Sequence, residues 1–118
     1  MTGVQTCALP IFTGIQRRRP DIAYFTKEQL KQGRAGEDVI PEFVIEVIST
    51  NDILNQVEEK ITQYFKTGVK VVWTIMPASE SVHVYTSRQQ VKICFSDDIC
   101  SATPVLEGFE ISVNQIFA

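Results

Sequence analysis

The sequence predicts a mixed α/β domain, and two observations carry that prediction. Residues 43–48, Phe43-Val44-Ile45-Glu46-Val47-Ile48, are apolar nearly throughout, as a strand covered on both faces is. Residues 53–67 then repeat apolar side chains at helical spacing and lead into a third apolar run at 69–75. Strand, helix and strand in that order call for a sheet with helices packed against it. The 118 residues suffice for one core and fall short of two ordinary domains.

The elements follow in chain order. Met1 to Ile11 lacks helical period, strand alternation and turn chemistry. It has no basic leader segment and no small-residue cleavage site, so it does not read as a signal peptide. It matches the translation of a common sequencing-adapter string with GTG read as the initiating Met. Residues 1–11 are therefore expected to form no domain, and residues 12–118 to form a domain whose native N-terminal part is missing. Pro20 opens a short strand over residues 20–25, proline suiting a first strand position. Thr26 with Gln29 three residues on is a capping pair for a short helix over 27–31.

The strand at 43–48 comes next, opened by Pro41. Ser49-Thr50-Asn51-Asp52 is a dense helix-start signal, with Ser49 as an N-cap, and Gly68 stands where the helix should stop. Residues 82–85 and 90–95 read as a hairpin, and Asp97, Asp98 and Pro104 as a loop. A last strand at 106–111 leads into a short terminal element. Trp73 reads as core, and His83 alternates with Val82 and Val84 to face solvent or an edge.

Composition narrows the function classes. Apolar residues at 44% and charged residues at 21% are ordinary for a soluble globular chain, so neither disorder nor a fibrous class is indicated. No apolar run approaches the roughly 20 residues of a membrane-spanning helix. Cys7, Cys94 and Cys100 have no metal-ligand or redox spacing, and so sparse and odd a set fits a reducing, cytoplasmic compartment. His83 is the single histidine, which excludes a two-histidine site. The net charge is −3, yet residues 17–34 hold six basic side chains (Arg17, Arg18, Arg19, Lys27, Lys31, Arg34) against two acidic ones. That segment either attracts DNA by counterion release or is a solvated face.

Three residues point to chemistry. A carboxylate inside an apolar strand is costly to bury unless paired, hydrogen-bonded or bound to metal, which singles out Glu46; alternatively it reaches solvent at the strand end. Lys60 lies about 80° from the centre of the apolar arc formed by Ile53, Leu54, Val57, Ile61, Tyr64 and Phe65. It either presents its ammonium at a strand end or snorkels as an ordinary shoulder lysine. Asp21 at a strand start is a turn residue or a ligand. Together they form a set that phosphodiester hydrolysis can use: two carboxylates for a hard divalent cation and a lysine to orient water.

Pro20-Asp21, Glu46 and Lys60 resemble the PD-(D/E)xK nuclease superfamily. The chain is more closely similar to the bacterial restriction-endonuclease family called Uma. The segments that carry the likeness are Arg19-Pro20-Asp21, Glu46-Val47-Ile48-Ser49, Glu59-Lys60 with Tyr64 and Gly68-Val69, Val72-Trp73-Thr74-Ile75, and Leu106, Gly108-Phe109 with Ile116-Phe117. The resemblance runs from about Arg17 to Phe117. It implies a restriction-endonuclease-like mixed β-sheet core flanked by helices, incomplete at the N-terminus, with Mg²⁺ (or Mn²⁺) as cofactor and DNA as substrate. Asp21 and Glu46 would be metal ligands, the Val47 carbonyl a third oxygen and Lys60 the catalytic lysine. Arg17, Arg18, Arg19 and Lys31 would be DNA contacts, and a homodimer is compatible with the family. The chain departs from the superfamily in having Ile48 where a lysine usually follows the acidic residue. The expectation is thus a Mg²⁺-dependent DNA endonuclease, the alternatives being a non-catalytic DNA- or protein-binding module on the same fold, or a truncated reading frame without function.

Overall fold

The computed structural model describes residues 20–118 and, as backbone, the strand Thr2–Gln5. The strands are β1 (Thr2–Gln5), β2 (Ile22–Thr26), β3 (Phe43–Val47), β4 (Val71–Met76), β5 (Ser81–Ser87), β6 (Gln90–Phe95), β7 (Ile99–Ala102) and β8 (Leu106–Ser112). The helices are α1 (Lys27–Arg34), α2 (Leu54–Thr67) and α3 (Val113–Ile116). β1 to β6 form one sheet in sequence order, and β7 and β8 form a separate two-stranded sheet. Within the large sheet β3 and β4 are parallel, joined by α2 as the crossover, and every other neighbouring pair is antiparallel. The chain therefore builds a mixed sheet flanked by helices.

Alternation along the strands divides the core in two. On one face Ala23, Val44, Val72 and Tyr85 pack against Ile61 and Tyr64 of α2 and against Val69. On the other, Tyr24, Phe43, Ile45, Trp73, Val82 and Val84 pack under Cys100, Ala102 and Val113 from the small sheet and α3. Coverage on both faces is why β3 reads as continuously apolar. Trp73 is in the core as expected: its indole N–H donates to the Ser101 carbonyl at 3.2 Å, and its ring stacks on Phe109 with centroids 5.7 Å apart. Cys94 and Cys100 are free and buried, and desolvation pushes the Cys100 thiol up to about 12.

Local sequence chemistry accounts for most helix ends. Thr26 and Gln29 form the expected capping box, with reciprocal bonds of 3.1 Å. Gly68 closes α2 in the left-handed region at φ 117°, and the Val69 N–H donates to the Tyr64 carbonyl at 3.0 Å, which completes the C-terminal cap. The start of α2 differs from expectation. Ile53 is the N-cap, without a side-chain bond, while the Asp52 carboxylate accepts from the Ser49 N–H at 2.7 Å. Ser49 Oγ accepts from the Asn51 N–H at 3.3 Å. The polar cluster thus forms its own turn in place of an N-cap, because short polar side chains can satisfy nearby backbone outside the helix as well as at its end.

Two strands were not expected. β7 lies where a loop was read; its four residues pair with β8 and bury Cys100 and Ala102, a tertiary gain that so short a segment does not announce. β1 falls within residues 1–11 and pairs antiparallel with β2, from Thr2 opposite Thr26 to Gln5 opposite Ala23. An unpaired edge recruits extended backbone with little regard to side chains. The remainder of 1–11, and Arg17, Arg18 and Arg19, lie outside the described residues.

Candidate active site

Glu46 occupies the carboxyl end of β3, in register with Thr74 on β4. Parallel strands joined through a helix leave their carboxyl ends open to a crevice, the usual ligand position in such sheets. Alternation from Val44 turns Glu46 to the face that α2 covers, so its side chain is buried, with 5% exposure. Ile22 pairs with Ile45, which sets Asp21, just before β2, beside Glu46 across the strand pair.

The hydrogen bonds around these residues interlock. The Asp21 N–H donates to Glu46 Oε2 at 3.2 Å, and the Val47 N–H donates to Asp21 Oδ2 at 2.7 Å. From α2, Lys60 Nζ donates to Glu46 Oε1 at 2.6 Å and the Tyr64 hydroxyl donates to Glu46 Oε2 at 2.8 Å. Lys60 and Tyr64 are four residues apart, one turn of the same helix face, so a single helix delivers both donors to a single carboxylate. Lys60 is on the sheet-facing shoulder of the helix, with 29% of its side chain exposed. Burial raises the Glu46 pKa; the Lys60 and Tyr64 bonds oppose that rise, and the nearby Asp21 charge adds to it.

A cleft of about 270 Å³ opens over this cluster, lined by Asp21, Glu46, Val47, Lys60 and Thr74, together with Asp52, Ile53 and Gln56 from the α2 entry. Two of its lining side chains are exposed and apolar: Val47 at 45% and Ile53 at 58%. Ile53 and Val57 of the predicted apolar arc therefore line the cleft, and only Ile61 and Tyr64 of α2 are fully buried.

The structure brings Asp21, Glu46, Val47 and Lys60 together. Lys31 stands apart. It is exposed on α1, which starts from the end of β2 opposite Asp21 and is tied by Gln29 Nε2 to the Ile40 carbonyl at 2.9 Å, ahead of β3. His83 is half-buried in β5, opposite Thr74, with its pKa lowered by burial. Tyr64 reads from sequence as a packing residue, or one with its hydroxyl near Lys60; it is buried, and the hydroxyl reaches Glu46, while Thr74 was missed. The available signal for Thr74 was a polar residue within an apolar strand. Among the described residues no three His, Cys, Asp or Glu side chains cluster to hold a metal ion; the two carboxylates bonded into the network are Asp21 and Glu46.

Known proteins agree with this architecture. A search of curated proteins gave no match. A crystal structure of a "putative nuclease belonging to DUF820" from Anabaena variabilis ATCC 29413 superposes with a TM-score of 0.81 at 21% sequence identity. The match covers 98% of this chain and 68% of that one, a likeness of fold. The family model Uma2, described as "Putative restriction endonuclease", matches residues 3–114. With nearly its whole length matched, the chain belongs to this restriction-endonuclease family and shares the nuclease fold.

Proposed function

We propose that the chain is a Mg²⁺-dependent endonuclease that hydrolyses DNA phosphodiesters, with Asp21, Glu46 and Lys60 as its catalytic residues. The observation that carries this reading is the convergence of two carboxylates and one ammonium, from three separate elements, in one open cleft. A hard divalent cation takes oxygen ligands, and the donors here fit it. Glu46 Oε1 faces the Lys60 ammonium, so a cation already compensates it. Asp21 Oδ2 accepts from Val47, which leaves Oδ1 as the oxygen without a described partner. A strand residue sends its N–H and C=O to the same edge, so the Val47 carbonyl runs along the edge where its N–H meets Asp21. Asp21, Glu46 and the Val47 carbonyl would then hold the ion.

Bound there, the ion would polarise the phosphoryl oxygen and lower the pKa of a coordinated water. The chain's own residues do the rest. Asp21 and Glu46 set the position of the ion against the cleft, and the Asp21–Val47 bond holds the first carboxylate. The Lys60 ammonium, 29% exposed and lining the cleft, would turn from Glu46 to orient the attacking water and offset charge developing on the phosphate. Thr74 floors the cleft beside Glu46.

The test combines Mn²⁺ binding by calorimetry with nicking of supercoiled DNA in Mg²⁺ or Mn²⁺. The chain should bind Mn²⁺ and nick DNA only with metal, and Asp21→Asn should lose both properties while folding normally. DNA binding without metal binding or cleavage would favour a non-catalytic module on the nuclease fold and overturn the proposal.

A further inference from the structure

Tyr64 is fully buried in the apolar cluster beneath α2, among Val44, Ile61 and Val72. A phenylalanine would fill that space. The hydroxyl adds a polar atom whose burial is costly without a partner, and it lies 2.8 Å from Glu46 Oε2. Oε2 also accepts from the Asp21 N–H at 3.2 Å. A carboxylate oxygen offers two lone pairs, so these donors occupy both on Oε2. Among the described residues Oε1 has the Lys60 ammonium alone, at 2.6 Å.

From this geometry we infer that Tyr64 is a positioning residue: its hydroxyl pins Oε2 toward the core and turns Oε1 into the cleft as the single ligand oxygen of Glu46. The inference rests on the metal-dependent reading above and deepens it. The last torsion of a glutamate is broad and nearly two-fold, so an unpinned carboxylate would rotate and present either oxygen, or both. Pinning one oxygen from the core removes that freedom before an ion arrives, and leaves Lys60 as the one partner on Oε1 that has to give way. Partners that orient a ligating carboxylate typically matter by about 10–100-fold in metal affinity or activity.

Tyr64→Phe tests this, with Tyr85→Phe as a control that removes a hydroxyl from the same cluster away from Glu46. Mn²⁺ affinity by calorimetry and DNA-cleavage kinetics are measured beside thermal unfolding. Tyr64→Phe should bind Mn²⁺ about tenfold more weakly, with kcat reduced, KM for DNA unchanged and unfolding still cooperative, at a midpoint lowered by the loss of one buried bond. Tyr85→Phe should match wild type in Mn²⁺ affinity and kcat. Equal Mn²⁺ affinity in Tyr64→Phe and wild type overturns the positioning role and leaves the metal-dependent reading standing. Failure of the wild-type chain to bind Mn²⁺ overturns that reading and this inference with it. A Mn²⁺-soaked crystal of the wild-type chain needs no variant: metal on Oε1 with Tyr64 still on Oε2 is the expected result, and metal on Oε2 refutes it.

Discussion

Replacing Glu46 by glutamine should make the metal-free protein more stable at neutral pH while destroying metal binding. The carboxylate is buried, and its pKa is raised despite the Lys60 and Tyr64 bonds, so its surroundings favour the neutral form. A glutamine whose amide oxygen takes the Oε2 position keeps the bonds from Tyr64 and the Asp21 N–H. The cost falls on Lys60, which meets an NH₂ donor at the Oε1 position; with 29% of its side chain exposed, it can turn to water. The ion pair that is lost was a charge-assisted bond of about 1.5–3 kcal/mol. The charge desolvation relieved costs several kcal/mol for a buried ion. The balance is a gain on the order of 1 kcal/mol, which for a domain of this size raises Tm by about 4 °C.

The pH dependence carries the sign. A carboxyl whose folded pKa lies above its unfolded value favours folding while protonated, and that contribution is lost as pH rises through the folded pKa. The Glu46→Gln advantage should therefore be present at pH 7 and vanish as pH falls below the ordinary glutamate value of 4.5. Thermal and urea unfolding of both proteins at pH 4 and pH 7 measure it. A Glu46→Gln protein less stable than wild type at pH 7 by more than about 1 kcal/mol would show that the ion pair outweighs desolvation, and the reasoning from burial would be wrong.

Lys60→Met should cut DNA cleavage by about 100-fold or more, the usual scale for removing one transition-state donor. Mn²⁺ binding should be at least as tight as in wild type, since a cation no longer competes for Oε1; cleavage at the wild-type rate would remove Lys60 from the mechanism. Gly68→Ala should destabilise the fold by about 1–2 kcal/mol through its positive φ. The new Cβ would meet nothing nearer than Ile40 Cγ2 at 3.7 Å, so an unchanged urea midpoint would refute the strain argument. Trp73→Phe forfeits the bond to Ser101 and part of the stack on Phe109. It should lower stability by about 1–3 kcal/mol, read as a lower Tm, with Mn²⁺ affinity preserved because the residue faces away from the cleft.

Much of the fold was legible because its signals are local. The apolar run of β3 announced a strand covered on both faces, Thr26 and Gln29 announced a capping box, and Gly68 announced a helix stop. The candidate site was legible in part for the same reason: a lone glutamate in such a strand and a lysine on the shoulder of the next helix are odd enough to notice. What tertiary structure alone decided was the meeting of groups far apart in the chain. The register of β2 on β3 joins Asp21 to Glu46 and Val47, over 25 and 26 residues of separation. Packing of α2 on the sheet carries Lys60 and Tyr64 to opposite oxygens of one carboxylate. β7 exists because β8 and Trp73 give it something to pair with and to cover. Ser49 to Asp52 folded into its own turn, because short polar side chains can bond nearby backbone outside a helix as well as at its end. Propensity and period act within a few residues, whereas register, burial and the partner of a buried charge depend on contacts that exist only once the sheet has formed.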